Sequence, residues 1–374
     1  MSSADRRKKI TRRTFARNGS LAIAAGIISP LPLEAMRPAS HERLAMHQEQ
    51  SARGVVCMIC PNECTLKEGE VSVCRNRVVR NSKLYTMAYG NPCTANIDPI
   101  EKKPLYHFLP GSTAFSIATA GCNFACLNCQ NWTISQTSPD KTSNYDLPPK
   151  DVVNQAVTGR CRSIAYTYSE PVTFYEYVFD TSILAHEKSI RNVMVSNGYI
   201  NREPLIELCK HIDAANIDLK AFSDSTYLKL TGGKLQPVLD ALKIYRDEGV
   251  WLEITNLVVP GWTDKPDEIR QMCRWLAANG FTDTPLHFSQ FQPRYKLDHL
   301  PPTPLGILKT AVDIAHDEGI KYVYIGNVPG SGNDDTLCPA CKRVLVDRSG
   351  YRIVTNEIKN GKCSCGETIP GVWS

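Results

Sequence analysis

Cys122, Cys126 and Cys129 stand in one short stretch with the spacing C-x3-C-x2-C, entered through Gly121 from an apolar run. Three thiolates on a single loop can take three corners of a cubic [4Fe–4S] cluster. No fourth cysteine lies close by, so one iron would keep an open position. A molecule with neighbouring amino and carboxylate groups could chelate it. The alternatives are a redox-inert loop and a zinc site short of one ligand. Against them stands the loop's place at the end of an apolar run, where α/β proteins carry their reactive groups.

The chain has 15 cysteines. Cys57, Cys60, Cys64 and Cys74 form an N-terminal set, and Cys338, Cys341, Cys363 and Cys365 a C-terminal one. Such close spacing suits thiolates converging on a metal better than disulfides. The C-terminal pairs, C-x2-C and C-x-C, read as two knuckles of a zinc ribbon holding structural zinc, with a second iron–sulfur cluster as the rival. The N-terminal set could hold zinc or an auxiliary [4Fe–4S] cluster. Cys93, Cys161, Cys209 and Cys273 stand alone and read as small buried hydrophobes.

The positioning elements follow from the rest of the chain. Its 374 residues are 42% apolar and 22% charged, values of an ordinary globular protein. No apolar run reaches the ~20 residues of a membrane-spanning helix. Net charge is +5, but residues 1–17 alone carry +6. The body is therefore not basic, and nucleic-acid binding is not expected. Apolar runs at 114–118, 163–168, 192–196, 214–219, 251–259, 285–291 and 321–325 read as strands. Helical patterns fall at 204–212, 237–248, 267–278 and 304–318. Alternation of this kind predicts a parallel sheet covered by helices, an α/β fold forming a whole or partial β/α barrel.

At the N-terminus, Thr11 is followed by Arg12, Arg13, Thr14 and Phe15, and residues 21–28 are weakly apolar. This resembles a twin-arginine export signal. No clean cleavage site follows, and the polar residues 34–53 read as a tether. The expected organisation is a signal and tether at 1–45, a Cys-rich module at 54–95, the barrel at 110–330 and a zinc-ribbon-like module at 335–374. The signal points to the periplasm or the inner membrane, with the cytoplasm as the alternative.

From about residue 55 onward the chain resembles the radical S-adenosylmethionine (SAM) superfamily, and within it the radical SAM enzyme of the AmmeMemoRadiSam system, related to activating enzymes of glycyl-radical proteins. The resemblance rests on DPIEKKPLYHF at 98–108, GCNFACLNCQNW at 121–132, YTYSEP at 166–171, SNGY at 196–199, NIDLK at 216–220, VVPGW at 258–262 and GNVPG at 326–330. It implies a [4Fe–4S] cluster on Cys122, Cys126 and Cys129, SAM on its open iron, and hydrogen abstraction from a substrate by a 5′-deoxyadenosyl radical. Asn128, at the position usually aromatic, and Gln130, after the last cysteine, are expected at the cofactor. Glu170, after Ser169, is expected to accept from the SAM amino group. Ser196, Asn197 and Gly198 are expected near ribose or carboxylate, Asp218 and Lys220 at the next strand end, and Pro260 and Gly261 near the adenine. His287 and Gln292 are weaker candidates. The alternatives are an activase installing a glycyl radical on a partner protein, and a non-catalytic iron–sulfur electron carrier. A flavodoxin or ferredoxin would donate the electron, and a protein substrate is one expected partner.

Overall fold

The computed structural model describes residues 41–328 and 330–374. The arginine pair at 12–13 and the apolar run at 21–28 lie outside the described residues. An eight-stranded sheet organises the rest: β1 (Thr94–Pro99), β2 (Thr113–Ala118), β3 (Ser163–Tyr166), β4 (Arg191–Ser196), β5 (Ala214–Asp218), β6 (Trp251–Val258), β7 (Leu286–Gln290) and β8 (Val323–Gly326). Neighbours in space follow chain order from β1 to β8. The pairs from β2 to β8 are parallel, and β1 runs antiparallel along β2. The ladder runs from one edge to the other, as in a partial TIM-like barrel rather than a full one.

Burial explains the strand sequences. All four residues of β3 are buried, as are five of six in β2, so these strands read as continuous apolar runs. The edge strand β1 is half-exposed, with Ile97 51% open to solvent. It starts at 94, so the barrel sheet begins before the expected boundary at 110.

Helices α1 (Trp132–Ser135), α2 (Pro149–Thr158), α3 (Tyr175–Glu187), α4 (Arg202–Cys209), α5 (Asp224–Thr231), α6 (Leu235–Asp247), α7 (Pro266–Ala278) and α8 (Leu305–Asp317) connect the strands. Helix α6 buries Leu235, Val238, Leu239, Leu242 and Tyr245 on one face. Asp267 and Glu268 occupy the first turn of α7, where the helix dipole favours acids.

Two expectations need correction at the N-terminal side. The tether over 34–53 is replaced by sheet from residue 41 onward: Arg43–Leu44 pairs with Lys83–Thr86, and Gln48–Ser51 pairs with Gly54–Cys57. Polar composition misled here because these strands are short and largely exposed. The segment 54–95 also shares its core with the barrel. Val55, Ile59, Val79 and Leu84 join the cluster that contains Ile117, Tyr166 and Ile217. A buried ion pair at 2.5 Å, Arg77 to Glu176 of α3, adds a second tie. At the other end, Thr336–Leu337, Val344–Ser349 and Arg352–Asn356 form a three-stranded antiparallel sheet. The last residues return to the barrel, where Val372 N donates to His107 O at 2.7 Å and Leu109 N to Val372 O at 2.6 Å.

Candidate active site

The cysteine loop leaves β2 through Gly121. Its φ is +96°, and an added Cβ would sit 2.5 Å from Cys74 O and 2.6 Å from Asn76 Oδ1, so only glycine fits. Asn76 Nδ2 holds Ala120 O at 2.7 Å. Two backbone bonds fasten the loop to the end of α5: Ala125 N to Thr231 O at 2.8 Å and Leu127 N to Leu230 O at 2.9 Å. Cys126 is buried, and Cys122 and Cys129 are half-buried.

Burial raises all three thiols, that of Cys126 to about 12, although Lys220 pulls Cys126 and Cys129 down. Without metal they are protonated, so a cluster must displace protons to bind. Lys220 is itself held charged: burial opposes it, but Asp218, at 2.9 Å, outweighs that. Asp218 and Lys220 form an ion pair, which sets a cation beside the cysteine loop. Three thiols on one loop with an adjacent cation fit a net-negative cluster.

Glu170 is 2% exposed and follows β3, where it caps the 3-10 turn Pro171–Phe174 rather than ending the strand. Its Oε1 accepts from Val172 N at 3.0 Å and Ser196 Oγ at 2.7 Å, and its Oε2 from Asn197 N at 2.9 Å. Burial raises its pKa to about 7 against those three bonds and Lys220. A carboxylate offers about four acceptor sites, so one remains on Oε2.

The Asn197 amide is already engaged. Nδ2 donates to Asn123 Oδ1 at 2.8 Å, and Oδ1 accepts from Tyr199 N at 2.9 Å. Asn123 Nδ2 in turn donates to Tyr199 O at 2.8 Å. Glu170, Ser196, Asn197 and Asn123 thus form one chain of hydrogen bonds ending next to Cys122. Ser196 and Asn197, expected to face a ligand, spend these bonds on the protein. Ser169 Oγ likewise donates to Thr119 O at 2.7 Å. The clearance at Gly198 serves packing, because a Cβ there would meet Ile217 Cγ2 at 2.8 Å.

Pro260 and Gly261 form the turn after β6, with Trp262 N and Thr263 N both donating to Val259 O at 3.0 Å. Gln292 is exposed and donates to Gln290 Oε1 at 2.6 Å. His287 is structural: its Nε2 lies 2.7 Å from buried Glu253, which also accepts from Tyr106 N and His107 N. Asn128 and Gln130 line a cavity over β6, β7 and β8. Sequence reasoning missed Asn76, Asn123 and the Arg77–Glu176 pair. Asn123 lies inside the cysteine motif, but nothing local marks the other three.

The flanking cysteine sets differ in geometry. Ligand atoms of Cys338, Cys341, Cys363 and Cys365 all lie within 4.8 Å of one another. Cys338 and Cys365 are 3.6 Å apart at sulfur, Cys341 and Cys363 3.7 Å. Four thiolates at ~2.3 Å from one tetrahedral ion would stand ~3.8 Å apart, so this cluster can chelate a metal. In the N-terminal set, burial raises Cys57 to about 11, while buried Arg77 pulls it down. Asn62 of that segment donates to Asn123 O at 2.9 Å, joining it to the active-site loop.

Residues 116–276 match the family model of the radical SAM superfamily. The uncharacterized protein MJ0808 of Methanocaldococcus jannaschii is 45% identical over 318 residues, covering 84% of this chain and 95% of that protein. The pyruvate formate-lyase 1-activating enzyme of Escherichia coli is 24% identical over 222 residues, 54% of this chain and 89% of that enzyme. A domain of pyruvate-formate lyase-activating enzyme from Bacteroides vulgatus aligns with a TM-score of 0.40 at 14% identity, over 44% of this chain and 99% of that one.

Proposed function

The chain belongs to the radical SAM superfamily, and on that premise we propose that Cys122, Cys126 and Cys129 hold a [4Fe–4S] cluster whose open iron takes SAM. When bound, the cluster supplies the electron that divides SAM into methionine and a 5′-deoxyadenosyl radical, which takes a hydrogen atom from the substrate. Glu170 receives the SAM amino group on the acceptor site left on Oε2. Lys220, kept charged by Asp218, offsets the negative charge of the thiolates and is positioned to meet a carboxylate. The turn at Pro260 and Gly261 presents backbone to the adenine. The observation that carries this reading is the hydrogen-bond chain from Glu170 through Asn197 to Asn123, which joins the buried Glu170 carboxylate to the cysteine loop.

Anaerobic reconstitution with a strong reductant tests it: the protein should convert SAM to 5′-deoxyadenosine, and Cys122→Ala, Cys126→Ala and Cys129→Ala should each abolish the product. Undiminished cleavage in any of the three would refute the assignment. The similarity to a pyruvate formate-lyase activating enzyme favours a second reading, an activase acting on a partner protein. A glycyl radical formed on that partner, visible by electron paramagnetic resonance, would select it.

The finer family reading is the radical SAM enzyme of the AmmeMemoRadiSam system, supported by the motifs at 98–108 and 326–330. A flavodoxin or ferredoxin supplies the electron. The C-terminal cysteines hold structural zinc in a ribbon-like module, supported by their sulfur spacing, and the N-terminal four hold zinc or an auxiliary cluster. The twin-arginine segment carries the folded, cluster-loaded protein to the outer face of the inner membrane. A reporter fused to residues 1–45 that is not exported, or is exported despite Arg12→Lys with Arg13→Lys, would overturn that location.

A further inference from the structure

A cavity of about 340 Å³ opens at the carboxyl ends of β6, β7 and β8, beside the cysteine loop. Glu170, Ser196 and Lys220 follow or end β3, β4 and β5, the neighbouring part of the sheet. Leu257, Phe291 and Ile325 give the cavity an apolar lining. One polar atom in it is buried without a partner. Asn128 is 9% exposed, and its Oδ1 is buried without a hydrogen bond. A buried acceptor left unmade costs free energy that a ligand's donor would recover. Arg294, an exposed residue at the cavity's mouth, also lines it, and no hydrogen bond or ion pair engages its guanidinium among the described residues. Asp334, an acid in the same lining, accepts from Ser331 Oγ at 3.1 Å, and burial raises its pKa. Tyr351 reaches the cavity from the C-terminal sheet's hairpin turn.

We propose that this cavity is the substrate site and takes an organic carboxylate with a neighbouring N–H, of the N-acyl amino acid type. The carboxylate meets Arg294, the N–H meets Asn128 Oδ1, and an apolar side chain packs on Leu257, Phe291 and Ile325. The inference rests on the proposed SAM reading, because it places the second reactant beside the cysteine loop. A free acyl amino acid and the C-terminus of a peptide share this chemistry. The cavity holds either, and the test separates them.

The probes are N-acetyl-L-leucine, its uncharged counterpart N-acetyl-L-leucinamide, and an acetylated tetrapeptide ending in leucine. Calorimetric titration uses the reconstituted protein without reductant, first with SAM alone, then with each probe before and after SAM is loaded. The acid should bind on the order of tenfold tighter than the amide, the worth of a charge-assisted contact. Arg294→Gln should bring that ratio to about one, and Arg294→Lys should keep part of it. Asn128→Ala should weaken acid and amide alike. Tighter binding of the tetrapeptide than of the acyl amino acid supports the site with a chain terminus as its ligand, and the reverse supports it with a free metabolite. Equal binding of acid and amide, no binding, a preference that survives Arg294→Gln, or displacement of the probe by SAM would overturn the proposal. SAM affinity is read on the same samples, so its absence counts against the radical reading, whereas a missing acid preference counts against this one.

Discussion

Replacing Gly121 tests how the cysteine loop is held. At φ +96° an alanine is strained, and its Cβ would lie 2.5 Å from the Cys74 carbonyl oxygen. That oxygen is backbone and cannot swing aside as a side chain could. The left-handed conformation costs about 1–2 kcal/mol for a residue with a Cβ. Forcing a methyl into packed atoms costs about 1–3 kcal/mol more. Gly121→Ala should therefore lose about 2–5 kcal/mol. Gly249, at φ +76° with nothing within 4 Å of its added Cβ, isolates the first part. Gly249→Ala should lose only about 1–2 kcal/mol. Urea unfolding of both metal-free variants measures the difference. Iron retained after anaerobic reconstitution should fall in Gly121→Ala alone, because residue 121 leads directly into Cys122. Equal midpoints and equal iron in the two variants would refute the close approach as the reason for glycine.

Three further outcomes are expected. Glu170→Ala should keep the cluster's absorption but weaken SAM binding by roughly 10- to 150-fold, the worth of a hydrogen bond to a charged group; calorimetry showing wild-type affinity would remove that role. Burial lowers His107 to about 4, although the Glu253 charge opposes this, and its ring is fixed between Pro370 O and Tyr324 Oη. Its folded value lies below the unfolded 6.5, so the stability of the neutral form is lost as pH falls from about 6.5 to 4. The unfolding free energy of wild type relative to His107→Gln should drop by about 3 kcal/mol over that window, and a constant difference would contradict it. Cys338→Ser should lower zinc content and stability while leaving the active-site cluster's spectrum unchanged; losing iron instead would make the C-terminal set an iron–sulfur site.

Strands β2 to β8 were legible because parallel strands buried on both faces are nearly continuous apolar runs. β1 was not, since its half-exposed edge position leaves Thr94, Asn96 and Asp98 among its residues. Helix α3 was also missed: Tyr175, Tyr177, Val178, Thr181 and Ser182 are buried around it, so no single apolar stripe marks its period. Within the site, cysteine spacing pointed to metal chemistry, and Asp218 and Lys220 were legible as neighbours at one strand end. The bonding of Ser196 and Asn197 was not readable. Whether a polar side chain at a strand end meets a ligand or its own protein depends on partners distant in sequence. Ser196 meets Glu170 across 26 residues, and Asn197 meets Asn123 across 74.

The return of residues 370–372 to the barrel has a consequence for the order of assembly. His107 waits for Pro370, 263 residues later, and Leu109 waits for Val372. Closing a loop of that length carries an entropy cost of about 5 kcal/mol, which only the finished seam repays. On a ribosome, the segment that also supplies Glu253 with two backbone donors stays unlatched until residues 370–372 have emerged. Removing residues 372–374 would therefore act on the connection between β1 and β2, which Val372 holds through His107 and Leu109.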